Sequence, residues 1–337
     1  MNTETTAGVP WGQILARYKR PHAGRGLVEI LVSAAPLMVL WGFAWWAVSR
    51  GWWWAGALSI PAGFFLVRLF MIQHDCGHGS FFRDKRLNDW VGRVLGVVTV
   101  TPYDYWRRTH AIHHGTSGNL DRRTLGAIEM LTVAEYRALP RGKRFLYRLY
   151  RNPVVMFGVG PAYMFLVQHR LPIGLMKGGW RPWISVMGTN LAMAAVTIGL
   201  VWLIGLAPLL LVQIPTLVVA ATIGVWLFYV QHQYEGVAWA RSDDWKADDA
   251  AMHGSSHYDL PPVLRWLTAN IGVHHVHHAQ SRVPFYRLNQ VLKDHPELKD
   301  LGRVTLWESF RCARLALWDE ASRRLISFRE LRRVQPA

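Results

Sequence analysis

Cysteine is nearly missing from this chain of 337 residues: Cys76 and Cys312 are the whole supply. One bridge at most excludes a disulfide-built scaffold. Charge is scarce too, at 18% of residues, and lopsided, with 38 Lys and Arg against 22 Asp and Glu for a formal net charge of +16. With 51% hydrophobic residues the chain has ample surface to bury, so intrinsic disorder of the chain as a whole is excluded. Tryptophan is abundant, 18 residues, and this side chain concentrates where an apolar body meets water along one edge. A basic chain suggests nucleic acid, whereas an apolar, Trp-rich one suggests lipid. The distribution of the apolar residues decides for the membrane.

Four apolar stretches are long enough to cross a hydrocarbon core, which takes about 20 residues at roughly 1.5 Å each. They run over 27–48, 52–72, 183–206 and 209–230. The first two are joined near Ser49-Arg50-Gly51 and the last two by Leu206-Ala207-Pro208, so each pair forms an antiparallel hairpin. Ionisable residues are nearly absent from the spans; Glu29 sits at the start of the first, and Arg68 is placed to snorkel from the end of the second. The first stretch is too long for the apolar core of a signal peptide and is followed at once by another. Between Arg83 and Arg151 there are 14 basic residues against six acidic ones, while the two hairpin turns hold a single Arg. The positive-inside rule then places both termini and the 74–182 loop in the cytoplasm. The segment 153–171, apolar for about 16 residues, is either a fifth span or an interfacial or re-entrant helix; its short length favours the latter, as does parity, since one more crossing would put the third histidine cluster described below on the opposite side from the first two. Residues 1–26 read as a disordered or interfacial cytoplasmic arm, 27–320 as the membrane domain and 321–337 as a basic tail.

Of 15 histidines, eight fall in three short boxes on the cytoplasmic side of this arrangement. His74 and His78, at i and i+4, face one way on a helix leaving the second span. His110, His113 and His114 form the second box and His274, His277 and His278 the third, each reading as three imidazoles on one face of a turn; His275 is left on another face. Eight neutral imidazoles are too many for one ion and suit two with open positions. Spacing does not name the metal, because imidazole suits Fe, Zn, Cu and Ni alike. The expected fold class is therefore an all-α integral membrane protein: four transmembrane helices in two hairpins, interfacial helices, and a helical cytoplasmic cap carrying a His-ligated di-metal site.

The runs His74-Asp-Cys-Gly-His-Gly-Ser-Phe-Phe82, His110-Ala-Ile-His-His-Gly-Thr-Ser-Gly-Asn-Leu-Asp121 and Asn270-Ile-Gly-Val-His-His-Val-His-His278 closely resemble the histidine boxes of the membrane-bound fatty acid desaturases, nearest the bacterial acyl-lipid branch. The run Ala-Gln-Ser-Arg-Val-Pro-Phe-Tyr-Arg-Leu288 extends the likeness, which covers roughly residues 25–320. The resemblance implies two non-haem iron ions, O2 as co-substrate, and removal of two hydrogens from adjacent carbons of an acyl chain to leave a cis double bond. It also implies a ninth ligand beyond the fourth span, where His232 stands. In some animal relatives an Asn one turn earlier holds a metal-bound water; Phe228 occupies that place here.

Metal-binding imidazoles need partners for their second nitrogen. Asp75, Asp104, Asp121, Glu235, Asp259 and Asn270 lie near the boxes, and Asn270, four residues before His274, is expected on its helical face. Cys76 reads as a small packing residue, and His257 is the histidine outside the boxes most worth testing. Hydroxylation of an alkane or acyl chain, or ketolation or hydroxylation of a carotenoid, is the alternative on the same scaffold. A metal transporter needs polar ligands within the spans, and a nucleic-acid module needs a recognition motif; the sequence offers neither. The expected partners are membrane lipid, a fatty acyl substrate carried on lipid, carrier protein or CoA, and no nucleic acid. With no HPGG haem motif in the chain, a separate donor such as ferredoxin is expected to dock on the basic face, through Arg107, Arg108, Arg122 and Arg123. The expected location is the bacterial inner membrane.

Overall fold

A computed structural model describes residues 9–123 and 125–333; the first eight residues of the arm and the last four of the tail lie outside the described residues. Among the described residues, four helices are long and apolar enough to cross a membrane: Ala23–Ser49, Trp53–His78, Trp180–Ile204 and Leu206–His232. The sequence boundaries were short at the box-bearing ends, because the second and fourth spans run on without a break to His78 and His232. The second hairpin turns on one residue, Gly205, at φ +83°, a conformation that suits glycine. Leu206, Ala207 and Pro208 are already the first turn of the fourth span, where a proline lacks no needed N–H.

The second span is the hub. It packs along the fourth so closely that a Cβ on Gly63 would lie 2.5 Å from Val219 Cγ1, the small-residue contact typical of membrane helices. The third span is almost bare, with Leu191 and Trp202 74% and 87% exposed, as a lipid-facing helix is. Trp46, Trp52 and Trp54 pack edge to face and in parallel at the tip of the first hairpin, an aromatic anchor at the far interface. Arg68 does not snorkel. It is 1% exposed, pairs with Glu29 of the first span at 2.5 Å, donates to the Trp266 carbonyl and lies 4.0 Å under the Trp266 ring. A buried guanidinium needs such a counter-charge, and Glu29 supplies it across the helix contact.

The segment 153–171 is not among the helices long enough to cross: its helix runs to Leu166 and is followed only by the 3-10 turn Gln168–Arg170, with Val154, Val159 and Tyr163 exposed and Phe157 packed on Trp226 and Tyr229 of the fourth span. The described part of the N-terminal arm is folded: Trp11, Leu15 and Tyr18, spaced i, i+4, i+7, are buried against the cap. Gln280 Nε2 donates to the Gly12 carbonyl at 2.8 Å and the Tyr18 hydroxyl to Asp294 at 2.6 Å, so the arm straps the segment after the third box. Residues 321–333 likewise continue the fold; Arg324–Ser327 pairs antiparallel with Leu315–Asp319, burying Leu325 and Ile326. The described residues are mostly helical, with two small sheets in the cap.

Candidate metal centre

Four helix ends meet beneath the spans. The second span delivers His74 and His78 and stops at Gly79 in the left-handed region; the helix Tyr103–Thr116 brings His110, His113 and His114. The fourth span ends on His232, and the helix His274–Ala279 carries the third box. Nine imidazoles gather into two groups: His74, His78, His110, His114 and His277, then His113, His232, His274 and His278. Within each group the nitrogens lie within 4.8 Å of one another.

The boxes do not map onto the groups, as the reading of three rings on one face had it. In the second box i and i+4 enter one group and i+3 the other; in the third the division is reversed. Successive helical positions turn by about 100°, so the i+3 and i+4 rings diverge by that angle and reach neighbouring points. These two helices therefore bridge the groups.

The donor set fits a cation in each. Nε2 atoms of His78 and His110, His110 and His114, and His114 and His277 stand 3.1 Å apart; in the second group His232 Nε2 is 3.1 Å from His113 and 3.0 Å from His274. His278 Nε2 is buried without a hydrogen-bond partner among the described residues. So many lone pairs converging in a largely buried pocket could be satisfied by a shared positive ion in each group. Burial holds the ring pKa values of His110, His113, His114, His274, His277 and His278 well below the ordinary value, and the neighbouring rings add to the effect, so the ligating neutral form prevails at pH 7. Two tautomers are fixed from outside. His74 Nδ1 meets Asp75 Oδ1 at 3.1 Å, while Asp75 Oδ2 accepts from the Phe285 N–H at 2.7 Å; His232 Nδ1 donates to the Gly254 carbonyl at 3.1 Å. Each leaves Nε2 facing its group.

Of the six proposed supporting residues only Asp75 touches a box histidine. Asp104 pairs with Arg93, Asp121 with Arg241, and Asp259 with Arg303; Glu235 is exposed. Asn270 is not on the helix of His274. It sits at φ +56° in the preceding turn, donating to the Phe285 carbonyl and accepting from Asn289. Sequence reasoning missed the Gly254 carbonyl, which no side-chain pattern announces, and Trp106, stacked on His110 at 4.6 Å one turn before it. Phe228 packs 4.9 Å from the His113 ring and 5.2 Å from that of His232, lining a cavity of ≈ 20 Å³, about one water in size. Cys76 is buried and free, and His275 and His257 lie together off the groups with ring centroids 5.8 Å apart.

The fatty acid desaturase family model matches residues 51–309, most of the chain and all three boxes. The chain belongs to the fatty acid desaturase family. It is 41% identical over 321 residues to a fatty acid desaturase of Bacillus subtilis, covering 95% of this chain and 90% of that one. It is 29% identical over 259 residues to a Synechocystis protein described as an sn-1 acyl-lipid omega-3 desaturase (ferredoxin), and 25% identical over 283 residues to an sn-1 oleoyl-lipid 12-desaturase of the same organism. These cover 72% and 78% of this chain and 68% and 72% of the relatives. The likeness supports desaturation over hydroxylation or ketolation, and makes the desaturase an oxidoreductase of acyl chains.

Proposed function

We propose that the two histidine groups each hold one iron ion, and that the enzyme uses O2 and two external electrons to place a cis double bond in a membrane acyl chain. The observation that carries this reading is the convergence of nine histidine nitrogens into two adjoining groups at the same ends of two spanning helices. Bound there, the irons supply the oxidising power that an unactivated methylene demands: acyl chain, O2, two electrons and two protons become the alkene and two waters. The protein's own part is positional. Asp75 and the Gly254 carbonyl aim two of the rings, and Trp106 and Phe228 wall the site with apolar surface against water. The spans that end on His78 and His232 give an acyl chain a path from the bilayer.

The charge distribution supports a cytoplasmic site, in keeping with the positive-inside rule and an inner-membrane location. Relatives named as ferredoxin-using support a small acidic donor for this chain. Two of the four arginines expected to receive it are engaged: Arg107 pairs with Asp89 and Arg123 with Glu135. Arg108 and Arg122 are exposed, and their guanidinium groups make no hydrogen bond or ion pair among the described residues. Gas-chromatographic profiling of acyl chains in a host lacking the activity tests the reading. A new cis double bond that disappears with His110→Ala supports it; a hydroxyl or ketone product, or a double bond that survives His110→Ala, opposes it.

A further inference from the structure

Two short helices beside the third box expose large apolar side chains. In Pro262–Leu267, Val263 and Trp266 are 69% and 41% exposed; in Leu306–Cys312, Trp307 and Phe310 are 78% and 54% exposed. Both touch the spanning helices back from their histidine-bearing ends. The Trp266 ring lies 6.2 Å from Phe65, which is 13 positions before His78 and so roughly 20 Å back along the second span. The Phe310 ring lies 5.5 Å from Trp226 of the fourth span, whose indole donates to the Tyr258 hydroxyl at 3.2 Å. These helices therefore dip into the leaflet on the histidine side, as amphipathic Trp-bearing elements do.

A parallel pair of strands, His257–Asp259 with Arg303–Thr305, holds the two helices side by side. Between them opens a cleft of ≈ 340 Å³ lined by Asp259, Arg265, Arg303, Leu306 and Trp307 among others. Its charges do not balance. Arg303 is spent on Asp259 at 2.7 Å, whereas Arg265, half-buried, makes no side-chain hydrogen bond or ion pair among the described residues. Among the residues that line the cleft, two guanidiniums face one carboxylate, beneath an apolar rim of Leu306 and Trp307. A phosphodiester carries one negative charge and comes attached to acyl chains.

We propose that this cleft docks the phosphate of a membrane phosphoglyceride, gripped by Arg265 and flanked by Arg303, with the lipid's chains along Trp307 and Phe310. The proposal rests on the spans being membrane-embedded and is independent of the metal reading. The test is native mass spectrometry of the full-length, metal-loaded protein in detergent, titrated with dihexanoylphosphatidylglycerol, with dihexanoylglycerol, and with inorganic phosphate as competitor. Dihexanoylphosphatidylglycerol is expected to bind, and Arg265→Gln to weaken it about fivefold, the worth of one basic residue at anionic headgroups. Arg265→Lys keeps most of the affinity, and Trp307→Ser, a change at an exposed position, lowers it. Equal binding of dihexanoylglycerol would overturn phosphate recognition. Inorganic phosphate competing at matched concentration would show a free-anion site, and an unchanged Arg265→Gln of normal elution and iron content would remove the arginine from the account. Loss of iron or of product with lipid binding intact would instead count against the desaturase reading alone.

Discussion

The two histidine groups are built differently. The first has five imidazoles, four of them in i, i+4 pairs on two helices, and its first histidine is aimed by a carboxylate, Asp75. The second has four, one i, i+4 pair joined by single residues from two other helices, and His232 is aimed by a backbone carbonyl at Gly254. A six-coordinate ion would keep one position open in the first group and two in the second, and the water-sized cavity beside Phe228 adjoins the second. Each group draws on three helices, and the difference teaches that the first takes two i, i+4 pairs from them where the second takes one, so more of the first is preset by helix geometry.

The largest effect expected is that of His110→Ala. It removes a ring central to the five-membered group, and product in the host's acyl profile should vanish, while His113 and the second group stay in place on the same helix. Asp75→Asn should come next. It keeps the shape but loses the charge that aims His74, and supporting partners of this kind are worth about 10–100-fold in metal affinity or activity. Metal titration of the apo protein reads the change, and an unaltered affinity would erase the contrast between side-chain and backbone support. Charge reversal at Arg108 and Arg122 should raise the donor's apparent KM severalfold with kcat nearly kept, whereas reversal at the paired Arg107 should also cost stability; steady-state kinetics with varied donor separates the two.

A histidine outside both groups gives the control. His169 is half-buried, its ring pKa pushed down to about 4 by desolvation and then by Arg170. Its unfolded counterpart takes a proton below about 6.5, so native stability is complete above that pH and is lost progressively as pH falls toward 4. By pH 5 the loss is about 2 kcal/mol, at 1.36 kcal/mol per unit. His169→Leu should flatten that part of the pH dependence of thermal unfolding without changing iron content; an unchanged slope would mean the ring is protonated in the fold.

Much of this was legible in the sequence because it depends on local period. Apolar runs gave the spans, and box spacing marked eight of the nine histidines, with His232 found only through resemblance. What was not legible depends on partners distant in the chain. Arg68 was read as a snorkelling residue because nothing near it in sequence reveals Glu29, 39 positions away. Asn270 was placed on the third-box helix because spacing does not reveal that Ala269 and Asn270 both turn left-handed before it. The arm was readable in hindsight: Trp11, Leu15 and Tyr18 repeat at helical spacing, a signal lost among the polar residues around them.

The most direct measurement is iron per chain in anaerobically purified wild-type protein and in His232→Ala. Two separate groups predict about two irons in the first and about one in the second, with the remaining ion held by the five-histidine group. A single iron in the wild type, or two retained without His232, would contradict the division of the nine histidines into two metal sites.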